Sequence, residues 1–204
     1  AFFVYAAIKD AMKEKCTFTA SAVPIDKSLF FDETQLIDSI NMTLKKAKAI
    51  SNNRIEFFSQ EDLSQKITAL ALLEEMKTSV ENNCEGFEVY YQPQLRAGNY
   101  DLYGVEALLR YSSKTRGRVF PNEFIPILEQ SRLIKQVGMW VLREALTQCK
   151  KWRESIPDLR VSVNFSGIQF EDNNLADNIL HTIREVGVSS SALTMEITES
   201  MELH

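Results

Sequence analysis

Three carboxylates and one carboxamide stand inside strand-like stretches of this 204-residue sequence. Glu106 lies in Leu102-Tyr-Gly-Val-Glu-Ala-Leu-Leu-Arg110, Asn164 in Arg160-Val-Ser-Val-Asn-Phe-Ser166, and Glu196 and Glu199 in Leu193-Thr-Met-Glu-Ile-Thr-Glu199. Side chains alternate along a strand, so Val105, Ala107 and Leu109 face one way while Glu106, Leu108 and Arg110 face the other. A carboxylate in such a strand is costly to bury unless it is paired or bound to metal. Glu106 and Arg110 share a face but stand about 13 Å apart at about 3.3 Å per residue, too far for an ion pair with each other. The same pattern also fits an edge strand with one solvated face. Asn164 likewise fits either a site at the exit of a parallel strand or a hydrogen-bonded turn residue before Ser166-Gly167. Strict alternation sends Glu196 and Glu199 to opposite sides, which gives them different jobs. Glu106, Asn164 and Glu196 offer only hard oxygen ligands, a set that favours magnesium or manganese over zinc. Spacing alone does not show that the three converge.

The elements that must position these residues follow from hydrophobic period. From Phe87 onwards, strand patterns at 87–92, 102–111, 160–165 and 193–197 alternate with helical patterns at 122–131, 133–153 and 173–186. This order implies a mostly parallel sheet or a (β/α) barrel. Four strands are too few to close a barrel of eight. Upstream, a helix over 2–14, a strand over 16–23, a helix opened by Asp32 and Gln35 as a capping box, and a strand over 54–58 make a βα-type unit with its beginning missing. Between the two regions, Leu63, Ile67, Leu70, Leu73, Met76 and Val80 recur at three and four residues. They predict a connecting helix that starts near Ser59 and packs this stripe on the second region.

Composition narrows the chemistry. The net charge is −5 with both signs interspersed, so no basic stripe points to long nucleic acid as a partner. A small phosphorylated ligand held by placed cations and metal remains open. Cys16, Cys84 and Cys149 have no paired spacing, which argues against a disulfide framework or zinc site and suits a reducing cytoplasm. His181 and His204 are isolated. No run approaches eighteen apolar residues, and the apolar start Ala1–Ala7 lacks a basic leader. The sequence reads as cut at both ends.

Five ordered segments carry a resemblance. Tyr91-Gln92-Pro93, Glu106-Ala107-Leu108-Leu109-Arg110, Phe124-Ile125-Pro126, Val163-Asn164-Phe165-Ser166 and Glu196-Ile197-Thr198-Glu199 occur in the order and spacing of EAL domains, over roughly residues 68–204. The resemblance implies a (β/α)8 TIM-like barrel, present in part, that hydrolyses cyclic di-GMP to linear pGpG with Mg2+ or Mn2+. By match, Glu106, Asn164 and Glu196 resemble the metal ligands. Arg110 resembles the phosphate-holding arginine, Gln92 a nucleotide contact, and Glu199 the glutamate that supports a mobile loop at the site. Residues 44–57 resemble the closing helix and strand of a GGDEF-type domain, although Ala20-Ser21-Ala22-Val23 departs from that pattern.

The expected organisation is therefore residues 1–58 as the C-terminal part of a degenerate GGDEF-type α/β domain, 59–83 as a connecting helix, and 84–204 as the N-terminal half of an EAL domain. The family's paired aspartates, catalytic lysine, later glutamate and terminal glutamine are expected beyond His204, so the two-metal site is incomplete in this chain. Arg132 stands where the family has a glycine, expected to be tolerated in a helix–helix turn. The expected function is a cyclic di-GMP phosphodiesterase in the whole protein, inactive in this chain alone. The expected setting is cytoplasmic, with a homodimer formed through the EAL domain and a sensor domain upstream. The rival readings are a non-catalytic cyclic di-GMP receptor and an interaction scaffold.

Overall fold

In a computed structural model, the described residues are 2–12, 18–25, 33–50 and 54–197. They form two compact units, divided between Ala69 and Leu70. The first contains α1 (Phe2–Met12), β1 (Ala20–Ala22), α2 (Glu33–Ile50) and β2 (Ile55–Phe57). β1 and β2 are parallel, with Ala20 opposite Ile55 and Ala22 opposite Phe57, and α2 lies between them in sequence as the crossover a parallel pair requires. The Asp32 cap falls outside the described residues.

α3 (Gln60–Glu81) starts in the first unit and ends in the second. Its start is closed reciprocally. The Ser59 backbone N–H donates to Asp62 Oδ2 (2.9 Å), and the Asp62 N–H donates to Ser59 Oγ (3.2 Å). These bonds satisfy donors that a helix N-terminus otherwise leaves orphaned. The expected single stripe is corrected. Ile67 is 57% and Leu70 50% exposed, while Leu72 and Met76 are buried and Leu73 and Val80 half-buried. The rotation is set by polar contacts at the helix's C-terminal half. Ser79 Oγ lies 3.2 Å from the Tyr111 hydroxyl, and Glu75 accepts from Ser113 Oγ (2.8 Å) and the Lys114 backbone N–H. Those contacts turn Leu72, Met76 and Ser79 inward.

Glu75 makes the second unit acid-sensitive. Burial pushes its carboxyl up, but hydrogen bonds from Ser113, Lys114 and Thr115 outweigh this and hold it below its ordinary value of 4.5. The unfolded chain therefore takes the proton first, and the stabilisation present above pH 4.5 is lost as pH falls through the folded value. Glu75→Gln is expected to flatten the fall in urea midpoint between pH 6 and pH 3.5. An unchanged slope of midpoint against pH would exclude Glu75 as the sensitive group.

The second unit holds one mixed sheet in the order β3 (Phe87–Leu95), β4 (Leu102–Ser113), β6 (Arg160–Phe165), β7 (Leu193–Ile197), with β5 (Gly117–Val119) paired to the end of β4. β4, β6 and β7 are parallel neighbours. α4 (Pro121–Gln130) and α5 (Ile134–Arg153) connect β4 to β6, and α6 (Leu175–Val186) connects β6 to β7. This is a partial α/β barrel. It departs from the parallel expectation at its first strand: β3 runs antiparallel to β4, because the short connection over 96–101 cannot make a crossover of a dozen residues. β3 also runs on through Pro93 to Leu95, which an edge strand permits because a missing N–H there costs no ladder bond.

Between the sheet and the helices lies one core in which Val105, Ala107, Val161, Val163 and Phe165 meet Phe124, Val137, Leu142 and Leu146. Gly86 turns the chain into β3 at φ +87°, and a Cβ there would stand 2.9 Å from the Ser112 carbonyl oxygen. Burial pushes the Cys84 thiol up to about 11 and raises Cys149 as well, so neither is poised as a nucleophile at neutral pH.

Arg132, between α4 and α5, sits at φ +63°. A side chain there costs roughly 1–2 kcal/mol, and its ion pair with Glu171 is exposed at 3.2 Å and offsets little of this. The turn tolerates Arg132 under strain. Arg132→Gly is expected to raise stability by about 0.5–1 kcal/mol, part of the relief being cancelled by glycine's freedom in the unfolded chain. A lower urea midpoint for the glycine variant would contradict this.

Candidate functional site

The polar face of the sheet is built by register. β4 and β6 align Glu106 with Ser162, and β6 and β7 align Ser162 with Thr194 and Asn164 with Glu196. Across the β3–β4 ladder, Gln92 stands opposite Glu106. Since alternate residues share a face, Gln92, Glu106, Asn164 and Glu196 lie on one side, away from the buried valines. Asn164 Nδ2 donates to Glu106 Oε1 at 2.8 Å. Glu106 and Glu196 are half-buried and Asn164 is exposed, so the cluster opens to solvent. Glu199 lies outside the described residues.

Arg110 occupies the same face two pleats beyond Glu106. Its Nη1 donates to the Leu109 carbonyl (2.9 Å) and its Cζ lies 5.6 Å from the Tyr90 ring centroid. Arg118 on β5 stands over the same ring at 5.4 Å. The two guanidiniums thus share one aromatic ring. A cleft of ≈ 360 Å3 opens at Arg110, lined also by Leu108, Ile125, Ile134, Asn164 and Ser166 among others.

Sequence pattern missed three members of this surface. Gln94, opposite Gly104, donates from Nε2 to Glu196 Oε1 and accepts from Ser162 Oγ, both at 3.4 Å. Tyr90 shares a face with Gln92 and was findable from their spacing of two. Arg118 was not, because β5 is three residues long and leaves no period to read.

The donor set fits a hard divalent cation. Two carboxylates and an amide on three adjacent strands offer oxygen ligands. Among the described residues no group of three or more His, Cys, Asp or Glu is placed to hold a metal ion, so the Asn164 amide would have to complete the set. Asn164 would have to turn its amide so that Oδ1 rather than Nδ2 meets the ion. That rotation would end its bond to Glu106, and a cation held by the two residues would take the place of that bond.

The EAL domain profile matches residues 73–204, and this chain belongs to the EAL domain family. It is 32% identical over 181 residues to the oxygen sensor protein DosP of Escherichia coli, covering 88% of this chain and 22% of DosP. It is 31% identical over 167 residues to the bifunctional diguanylate cyclase/cyclic di-GMP phosphodiesterase MucR of Pseudomonas aeruginosa, covering 81% and 24% respectively. The chain thus spans less than a quarter of the length of these curated relatives. A solved structure of the PaMucR phosphodiesterase in complex with c-di-GMP superposes with a TM-score of 0.60 at 34% identity, covering 64% of this chain and 52% of that one.

Proposed function

We propose that the protein carrying this chain is a metal-dependent cyclic di-GMP phosphodiesterase that releases linear pGpG. The observation that carries the reading is that Glu106, Asn164 and Glu196 lie on one open face of the sheet, with Arg110 on the same face two pleats further along β4, in a family whose relative MucR is a cyclic di-GMP phosphodiesterase. Glu106, Asn164 and Glu196 would hold Mg2+ or Mn2+. A divalent ion there supplies Lewis-acid polarisation of a phosphoryl oxygen and a more acidic bound water. Arg110 holds a non-bridging phosphate oxygen pair through its guanidinium fork, and Gln92 orients the nucleotide from the neighbouring strand. Arg118 adds positive charge at the rim, while Tyr90 limits the freedom of both arginines before ligand arrives. Glu199 would support a loop bordering the site.

The remainder of the proposal concerns setting. Residues 1–58 are assigned to the end of a GGDEF-type domain, a reading supported by the parallel β1–α2–β2 crossover. Unpaired Cys84 and Cys149 agree with a cytoplasmic site of action. Among the described residues, no helix is long and apolar enough to cross a membrane. An upstream sensor domain and pairing of EAL domains in a homodimer complete the assignment.

Calorimetry of the protein extended beyond His204 tests the phosphate role. Arg110→Ala is expected to weaken cyclic di-GMP binding about 10- to 100-fold, the worth of one or two charged hydrogen bonds. Arg110→Lys should recover only part, because an ammonium lacks the planar fork, and Arg118→Ala should cost less than Arg110→Ala. Unchanged affinity in both Arg110 variants would remove this residue from the site.

A further inference from the structure

The opposite end of the sheet carries a second polar concavity. Along β6, Arg160 lies four residues before Asn164, about 13 Å away at about 3.3 Å per residue. Arg96, Tyr103, Arg153, Asp158, Arg160 and Ser191 line a hollow of ≈ 210 Å3 there. Three guanidiniums and one carboxylate give it a net charge of +2.

Tyr103 organises the cations. Arg96 Cζ lies 5.0 Å and Arg160 Cζ 5.6 Å from its ring centroid, and Arg160 Nη1 donates to its hydroxyl at 3.4 Å. Arg153, at the end of α5, is anchored by Nη1 donating to the Leu159 carbonyl at 2.8 Å. A guanidinium has five N–H donors, so these contacts leave most of them free.

Carboxylates answer some of the arginines of this chain: Arg54, Arg116, Arg132 and Arg143 each meet one. Arg110 and Arg118, on the Tyr90 ring at the other end of the sheet, share with this hollow the lack of one among the described residues. Among the described residues, no ion pair involves Arg96, Arg153 or Arg160, although Asp158 lines the same hollow. Like charges gathered around one ring repel, and an anion between them offsets that repulsion.

We propose that this hollow is an anion site that takes a phosphate group, separate from the cluster around Glu106. Three forks approaching from β6, from the end of α5 and from the 96–101 turn can each meet an oxygen of a tetrahedral anion. A carboxylate offers two oxygens and a single charge, so it leaves one fork and much of the positive charge unanswered.

The test uses the 204-residue chain, with the arginine Nε–Hε resonances followed by NMR at constant ionic strength in chloride. Inorganic phosphate should produce saturable shifts at Arg96, Arg153 and Arg160. GMP should do the same and guanosine should not, since the phosphate is the recognised group. Tighter binding of GMP than of phosphate would make a nucleotide the occupant, and equal binding would make it the phosphate alone. Arg160→Ala and Arg96→Ala, both at exposed positions, should each weaken binding about tenfold. Arg160→Lys should recover part of this loss, and Arg110→Ala should leave the titration unchanged. Shifts that grow linearly without saturating, or saturation unaltered in Arg160→Ala and Arg96→Ala, would overturn the proposal.

Discussion

Phe124→Ala will destabilise the unit formed by residues 70–204 by about 3–5 kcal/mol, the range for truncating a buried phenylalanine. Phe124 is fully buried on the inner side of α4. Its ring centroid lies 6.2 Å from that of Phe87 on β3 and 6.0 Å from that of Tyr111 on β4, and those two rings lie 4.4 Å apart. The three rings join the antiparallel edge strand, the site-bearing strand and the first helix after it. Alanine leaves a cavity that none of the three backbones can close without breaking the β3–β4 register. The lost area and the cavity therefore add. Urea unfolding checks this, with the midpoint expected to fall at constant slope. A loss below about 1 kcal/mol would mean that α4 is not docked on the sheet as described.

Glu106→Ala in the protein extended beyond His204 should lower turnover at least about 10³-fold, which corresponds to ~4 kcal/mol of transition-state stabilisation. Glu106 accepts the Asn164 amide, stands opposite Gln92 and sits at the centre of the polar face. Its removal takes one of two carboxylates from the proposed cation site and releases the neighbouring amide. The loss should appear in kcat far more than in KM, because Arg110 still holds the phosphate. The fold should hold, since the side chain is half-buried on the open face and leaves no sealed cavity. An increase in KM alone would make Glu106 a binding residue instead of a member of the metal site.

Much of this was legible in the sequence, for physical reasons. The strands bearing Glu106, Asn164 and Glu196 alternate strictly because one face meets a helix-lined core and the other is open, and period two records that difference. The segments were correctly ordered as a partial α/β barrel. The reversed direction of β3 was not legible, because alternation reads the same in parallel and antiparallel strands and only the short 96–101 connection decides between them. The rotation of α3 escaped for another reason. Its apolar residues surround more of the helix than one face, and Glu75 and Ser79, polar residues, determine which of them turn inward. Arg118 and the Arg96–Tyr103–Arg160 arrangement are made by side chains distant in sequence, with no period to carry them.

Product analysis tests the phosphodiesterase assignment most directly. The extended protein and the 204-residue chain are each incubated with cyclic di-GMP and Mg2+ or Mn2+, and the nucleotides are then separated. The extended protein is expected to release linear pGpG, and Glu106→Ala is expected to release it at least about 10³-fold more slowly. The 204-residue chain is expected to be inactive, because its described sheet is open at β3 and β7. Intact cyclic di-GMP after incubation with the extended protein and either metal, or pGpG formed equally well by Glu106→Ala, would contradict the assignment.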